Sequence, residues 1–321
     1  MRLTKITALM VLSFGIFSCS DDDDGGEVVV TPTNTISDFV DDSADYSSLD
    51  AALEVTGLDE TLDGTANFTV FAPNNAAFNA FFSDNGFESL NDVPTDVLTK
   101  VLMNHVQSGI IKSGDLTTGY IESMAMAGPT NEALSMYINT SDGVKINGES
   151  TVTTADIEVD NGVIHAVDKV IGLPNIVTFA TADPNFSSLV AALTREETFT
   201  FVETLMMTGD PAPFTVFAPT NDAFGDLLAE LEMEELGDIP TEILEAVLSY
   251  HVVTGANVRS GDLSDGMAVA SLQGSEFTVN LGDAVTITDG RERTSTVIAT
   301  DVQATNGVIH AIDTVLLPPT E

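Results

Sequence analysis

A histidine three residues before an aspartate can supply a general base and its orienting carboxylate, and this 321-residue sequence contains that pair twice: His165 with Asp168, and His310 with Asp313. His105 and His251 complete the set of four histidines. Four imidazoles also suggest a metal, but two histidines per repeat leave two ligands unfilled, and Cys19 is the only cysteine. The dyads fail on geometry. Val163, His165 and Val167 alternate as in a strand, so His165 and Asp168 point to opposite faces, and the same holds for His310 and Asp313. His105 follows Val97, Leu98, Val101 and Leu102 on one helical stripe, and His251 follows Ile243, Leu244, Val247 and Leu248. A histidine on an apolar stripe is expected to be a hydrogen-bonded core residue. The sequence has no G-x-S-x-G elbow, P-loop, H-E-x-x-H or D-x-D-x-D-G loop. Residues common to both repeats are mostly apolar or turn-forming, whereas catalysis requires a polar constellation. The expectation is a non-enzyme with no cofactor and no dedicated metal site.

The elements that position these histidines are themselves duplicated. Asn161-Gly-Val-Ile-His-Ala-Val-Asp168 returns as Asn306-Gly-Val-Ile-His-Ala-Ile-Asp313, 145 residues on. Phe68-Thr-Val-Phe-Ala-Pro73 returns as Phe214–Pro219, and the Leu102–His105 spacing as Leu248–His251, both at 146. The first helices align at 140, Leu49, Ala52 and Leu53 matching Leu189, Ala192 and Leu193 at amphipathic spacing. The extra six residues are assigned to the loop around Thr208–Pro213. Within each copy, Phe68–Phe71 reads as a strand ended by Pro73, with Asn74 or Asn75 capping the next helix. A longer helix runs from Pro94 to about Val106, Pro94 taking its first position as Pro240 does in copy two. The closing block reads as a hairpin whose Asn161-Gly162 and Asn306-Gly307 form type I′ turns at positive φ.

Charge narrows the partners. Fifty acidic residues against ten Lys plus Arg give a net −40, which excludes nucleic acid and unaided binding to an anionic membrane. The N-terminus carries Arg2 and Lys5 before an apolar run, Ile6 to Phe17, the pattern of an export signal too short to span a bilayer comfortably. Cys19 has no partner within the chain. The acidic, Gly-containing stretch after it, Asp21–Asp24 with Gly25 and Gly26, reads as an extended tether.

The leader resembles a bacterial lipoprotein signal, which implies residues 1–18 as signal peptide, lipid attachment at Cys19 and an acidic tether over 19–34. The acidic stretch resembles the tether of lipoproteins sent to the outer face of the outer membrane, and the two resemblances together imply an outer-membrane, lipid-anchored and surface-exposed protein touching the membrane only through its N-terminal lipid. The remainder resembles tandem fasciclin-like domains, over residues 35–174 and 175–318. The resemblance is carried by Phe68–Phe78 and Phe214–Phe224, by the two Leu-x-x-His helix ends, and by the two Asn-Gly blocks. Its Tyr-His motif is kept at Tyr250-His251, while copy one has Asn104-His105. The family implies an α+β fold, each domain a wedge-shaped β-sandwich with helices packed along one side. It implies a non-catalytic adhesion protein whose partner is an extracellular protein or polysaccharide, in the matrix or on neighbouring cells. The alternative is a cell-envelope carbohydrate-binding module, disfavoured because such sites rely on aromatic platforms and the chain has no Trp and four Tyr.

Overall fold

Phe68–Pro73 alternates apolar residues over a β-prone run, yet every one of its six residues is buried. A strand covered on both faces belongs in the middle of a sheet. The computed structural model describes residues 34–127 and 129–320; the leader, Cys19 and all but the last tether residue lie outside the described residues. The first repeat runs α1 (Ile36–Asp41), α2 (Ser47–Thr56), α3 (Asp59–Leu62), β1 (Phe68–Pro73), α4 (Asn75–Asp84), α5 (Thr95–Met103), β2 (Val106–Ser108), β3 (Gly119–Ala127), β4 (Glu132–Asn139), β5 (Lys145–Ile146), β6 (Ser150–Val159) and β7 (Gly162–Val167). The second runs α6 (Ile176–Ala182), α7 (Ser187–Leu193), α8 (Phe201–Met206), β8 (Phe214–Pro219), α9 (Asn221–Glu230), α10 (Thr241–Tyr250), β9 (Val252–Thr254), β10 (Met267–Ala270), β11 (Glu276–Leu281), β12 (Val285–Thr288), β13 (Thr294–Ala304) and β14 (Gly307–Ile312).

Among the described residues each repeat holds one seven-stranded sheet, ordered β2-β1-β7-β6-β5-β4-β3 and β9-β8-β14-β13-β12-β11-β10. β1 pairs parallel to β7, and β8 to β14, so the two duplicated blocks lie side by side. β6 and β13 carry register shifts next to Asp156 and Asp301, each at φ 60°, where an extra residue bends the strand. The bend folds the sheet on itself. Phe71 and Val167 from one half meet Met136, Ile138 and Ile146 from the other, as Phe217 and Ile312 meet Phe277, Val279 and Ile287. A second core joins the opposite sheet face to the helices through Leu49, Leu53, Phe78, Leu98 and Ile164, and through Leu189, Leu193, Phe224, Leu244 and Ile309. This is a wedge-shaped α+β sandwich, present twice. No single helix among the described residues is long and apolar enough to cross a membrane.

Four local expectations are corrected. The long helix ends at Met103, three residues short, because Val106–Ser108 pairs with β1 instead. Pro94 and Pro240 are N-caps with extended ψ of 131° and 138°, and their carbonyls accept the first helical bonds. The Asn-Gly turns are not type I′: Asn161, Gly162 and Asn306 lack positive φ, and Gly307, at φ 158°, is nearly extended. Finally, the six extra residues are split. Leu205 and Met207 occupy the places of Leu62 and Gly64 beneath the Asn306 and Asn161 amides, so three residues enter before α8 and three after it.

Candidate functional site

All four histidines are buried, with exposures of 2% or less. His105 lies just past the end of α5. Its Nδ1 is 2.7 Å from the Val101 carbonyl and its Nε2 accepts from the Ile171 amide at 2.8 Å. His251 repeats this with Val247 at 2.7 Å and Leu316 at 2.9 Å. A backbone donor on Nε2 and an acceptor on Nδ1 fix both rings as the neutral Nδ1–H tautomer. Burial pushes each of these two imidazoles down to about 4, against the opposing pull of its helix carbonyl.

His165 and His310 take the opposite tautomer. His165 Nδ1 accepts from the Asp156 amide at 3.2 Å, and Nε2 faces the Ile111 carbonyl at 2.9 Å. His310 Nδ1 accepts from the Asp301 amide at 3.4 Å, and Nε2 faces the Val258 carbonyl at 2.9 Å. Each ring lies against a Phe from the neighbouring parallel strand, Phe71 and Phe217 respectively. The structure does not bring these histidines to Asp168 or Asp313. Those aspartates instead accept from the Thr151 and Thr296 amides, both at 2.7 Å, across the sheet.

The carboxylates beside His165 and His310 are Asp156 and Asp301, at the strand bulges. Asp156 accepts from the Ser113 hydroxyl at 2.5 Å and amide at 2.7 Å, and Oδ1 lies 3.9 Å from His165 Nδ1. Ser260 holds Asp301 by the same two bonds. The Ser113 hydroxyl and then its amide hold Asp156 below the usual carboxylate range. Burial works upward on Asp301, but the Ser260 bonds outweigh it and its pKa is also lowered. Serine, aspartate and histidine thus meet twice, in the wrong order for acyl transfer. Each serine donates to the carboxylate rather than to an imidazole, and both nitrogens of each imidazole are engaged by backbone. The arrangement anchors the loop before β3 or β10 to the bulge. Asp156, Asp301, Ser113 and Ser260 escaped the motif search; the duplicated Ser113-Gly-Asp115 and Ser260-Gly-Asp262 could have found them.

Asn161 and Asn306 tie the hairpin to the helices. Asn161 Oδ1 accepts from the Ile36 amide at 2.9 Å, while Nδ2 donates to the Leu62 and Gly64 carbonyls at 2.6 and 2.8 Å. Asn306 binds Ile176, Leu205 and Met207 in the same way. Gly162 and Gly307 are required by close approach, since a Cβ on either would stand 2.2 Å from the carbonyl oxygen of Phe68 or Phe214. Tyr250 is buried and donates to the Glu276 carbonyl at 2.7 Å. In its place Asn104, also buried, donates to Gly172 and leaves its own Oδ1 without a partner.

The two repeats meet along a seam. Tyr120 donates to Asp183 at 3.1 Å and lies edge-on to Phe179, with ring centroids 5.6 Å apart. Tyr137 of β4 joins the apolar core of the second repeat. Ser135 accepts from the Gln303 amide at 3.0 Å, and Arg259 meets Glu132 at 2.7 Å. A cleft of about 710 Å³ opens along this seam, lined by Asp183, Asp222, Asp226 and Asp313 with Tyr120 and Ile298. Among the described residues no group of three or more His, Cys, Asp or Glu is arranged to hold a metal ion.

The fasciclin domain pattern matches residues 44–174 and 184–318. Among curated proteins the chain is similar to Protein sll1483 of Synechocystis sp., at 38% identity over 54% of this chain and 89% of that one. It is also similar to the transforming growth factor-beta-induced protein ig-h3 of Sus scrofa, at 30% identity over 80% of this chain, although it spans only 35% of that longer protein. Among solved structures it resembles a FAS1 domain pair from the insect cell adhesion molecule fasciclin I, with a TM-score of 0.52 and 21% identity, covering 84% of this chain and 97% of that one. With both matches falling on the two bent sheets, the chain belongs to the fasciclin domain family and carries two such domains in tandem.

Proposed function

We propose that the protein is a non-catalytic, surface-anchored adhesion lipoprotein: a two-domain head held through Cys19 and an acidic tether at the outer membrane, binding extracellular matrix or neighbouring cells. The observation that carries this reading is the engagement of every chemistry-bearing side chain the domains share. All four imidazoles and the bulge carboxylates hold backbone in place, which leaves recognition to the outer surface. The similar domain pair comes from an insect cell adhesion molecule, which supports the same class of role. The carbohydrate-binding alternative is disfavoured because no Tyr offers an open stacking face: Tyr46, Tyr137 and Tyr250 are buried and Tyr120 is packed into the seam.

A seam of aromatic packing and hydrogen bonds presents both outer surfaces at one fixed spacing, which raises avidity when a target displays several sites. Beads coated with the protein should therefore bind a cell or matrix layer, and Tyr120→Ala should weaken that binding severalfold by loosening the pair. The same change should cost about 2 kcal/mol of stability, less than a fully buried ring because Tyr120 is half-buried. Running the assay with calcium and then with chelator shows whether the acidic surface bridges through the cation. Absence of bead binding under every condition would remove the adhesion reading.

A further inference from the structure

Domain two contains a cavity of about 110 Å³ between α6, α7 and α8 and the sheet behind them. Phe217, Leu248 and Ile309 form part of its floor, and the lining is almost wholly apolar. Its rim is formed by Val177, Thr181, Val190, Thr194 and Val202, all partly or fully exposed. Both rim threonines spend their hydroxyls on their own helices: Thr181 on the Val177 and Thr178 carbonyls, Thr194 on Val190. A cavity of this size and character stays dry and admits an apolar group somewhat smaller than benzene.

Domain one carries different residues at the same rim. The helical alignment, and the matched Asn161 and Asn306 anchors, place Ser37, Asp41, Asp50, Glu54 and Asp59 at the five rim positions. Burial and then the charges of Asp41 and Asp59 raise the Asp50 pKa, so these three aspartates crowd one spot. In the second copy every one of them is a valine or a threonine. Ala180 also replaces Val40 on the cavity wall, which removes two methyl groups and opens space. Loss of four acidic residues from one rim, in a chain with 50, matches a requirement for an uncharged guest.

The rim continues outward. Val177 and Thr181 also line an adjacent notch of about 360 Å³ with Met206, Asn147 and Glu149. Met206 is 52% exposed. Asn147 is 7% exposed, its Oδ1 accepts from the Tyr137 amide, and its Nδ2 has no acceptor. A guest that fits both places is long and thin, apolar at one end, with an acceptor oxygen at the other. Glu149 in the notch disfavours a carboxylate at that end and favours a neutral carbonyl.

We propose that domain two binds a straight-chain acyl ester, its hydrocarbon end in the cavity between α6, α7 and α8 and its ester carbonyl toward Asn147. The test is titration of the protein with the methyl ester of a naturally fluorescent polyene fatty acid, with the free acid as a second arm. The expected result is a saturable rise in fluorescence at one ester per chain, with weaker binding of the free acid. Val190→Asp, which installs the domain-one residue on the partly exposed rim, should weaken ester binding at least tenfold with an unchanged far-ultraviolet circular dichroism spectrum. Ala180→Phe, which fills the cavity, should abolish binding, and Asn147→Ala should bring the ester down to the affinity of the free acid. No saturable signal, two esters per chain, or equal binding by wild type and Val190→Asp would overturn the proposal. Equal affinity for ester and acid in the wild type would overturn the placement of the head group at Asn147.

Discussion

Gly307→Ala should destabilise domain two by about 3–5 kcal/mol or prevent its folding, although the change adds a single methyl group. The added Cβ would stand 2.2 Å from the Phe214 carbonyl oxygen, 2.9 Å from the carbon of the same carbonyl and 2.9 Å from Ile176 Cδ1. The isoleucine end could turn aside; the carbonyl cannot. It belongs to β8, which is paired on one side to β14 and on the other to β9, and the Phe214 amide is itself bonded to the Asn306 carbonyl at 3.0 Å. Moving it means opening the only parallel pairing among the described residues of domain two, together with the Asn306 anchor that reaches Ile176, Leu205 and Met207. Gly162→Ala in domain one meets the same 2.2 Å contact, with Phe68, and should behave alike. Gly261→Ala is the control, because nothing lies within 4 Å of its added Cβ and its φ is not positive. Chemical denaturation should leave that control within about 0.5 kcal/mol of the wild type. A Gly307→Ala variant that also stays within about 1 kcal/mol would show that the two strands separate more easily than their geometry indicates.

The same glycine marks how far the sequence could be read. The duplicated Asn-Gly blocks announced a hairpin, and β6 with β7 and β13 with β14 do form one. The reason for the residues lay elsewhere. Local turn chemistry suggested positive φ, whereas the asparagine serves contacts more than 95 residues away in sequence and the glycine makes room for a strand brought alongside by the fold. Neither demand leaves a periodic trace. The histidines were more legible, since apolar neighbours at helical or strand spacing report burial directly. Their tautomers and backbone partners were not, because Ile171, Leu316, Ile111 and Val258 reach them from loops with no pattern of their own. Parallel pairing of β1 with β7 was likewise hidden, since continuous apolar runs say that a strand is central without naming its neighbour. The difference between the two rims around α1–α3 and α6–α8 stood in the aligned sequence throughout. It acquired meaning only once α8 could be set against α3, which required the anchor geometry rather than a fixed offset.

The repeat-equivalent imidazoles His105 and His251 should make the protein acid-labile in a window that lies mostly above carboxylate titration. An unfolded histidine binds its proton near pH 6.5, while burial holds both folded ones down to about 4. Between those values the unfolded chain carries more protons, so stability is full above the upper limit, falls as pH drops through the window, and stops falling below the lower one. Each ring accounts for a loss of about 3 kcal/mol in its own domain, a large share of an ordinary domain's stability of about 5–15 kcal/mol. Protonation is resisted for a geometric reason as well. Nε2 of each ring faces a backbone N–H, from Ile171 or Leu316, so an added proton would set donor against donor. Other terms act on the same measurement, among them His310, whose pKa burial also lowers. Acidification relieves the self-repulsion of a chain at net −40, which opposes the loss and is suppressed by salt. Asp156, Asp301 and Asp313 are held below their usual range, so their contribution is present at higher pH and disappears only around and below pH 4. His251→Asn separates these contributions. It should lower stability at neutral pH, since the Val247 and Leu316 bonds are disturbed, yet flatten the decline between about pH 6.5 and 4 by about 3 kcal/mol. Denaturant midpoints followed across that range at high salt give the comparison, and parallel curves for the two proteins would mean that His251 already carries its proton in the fold.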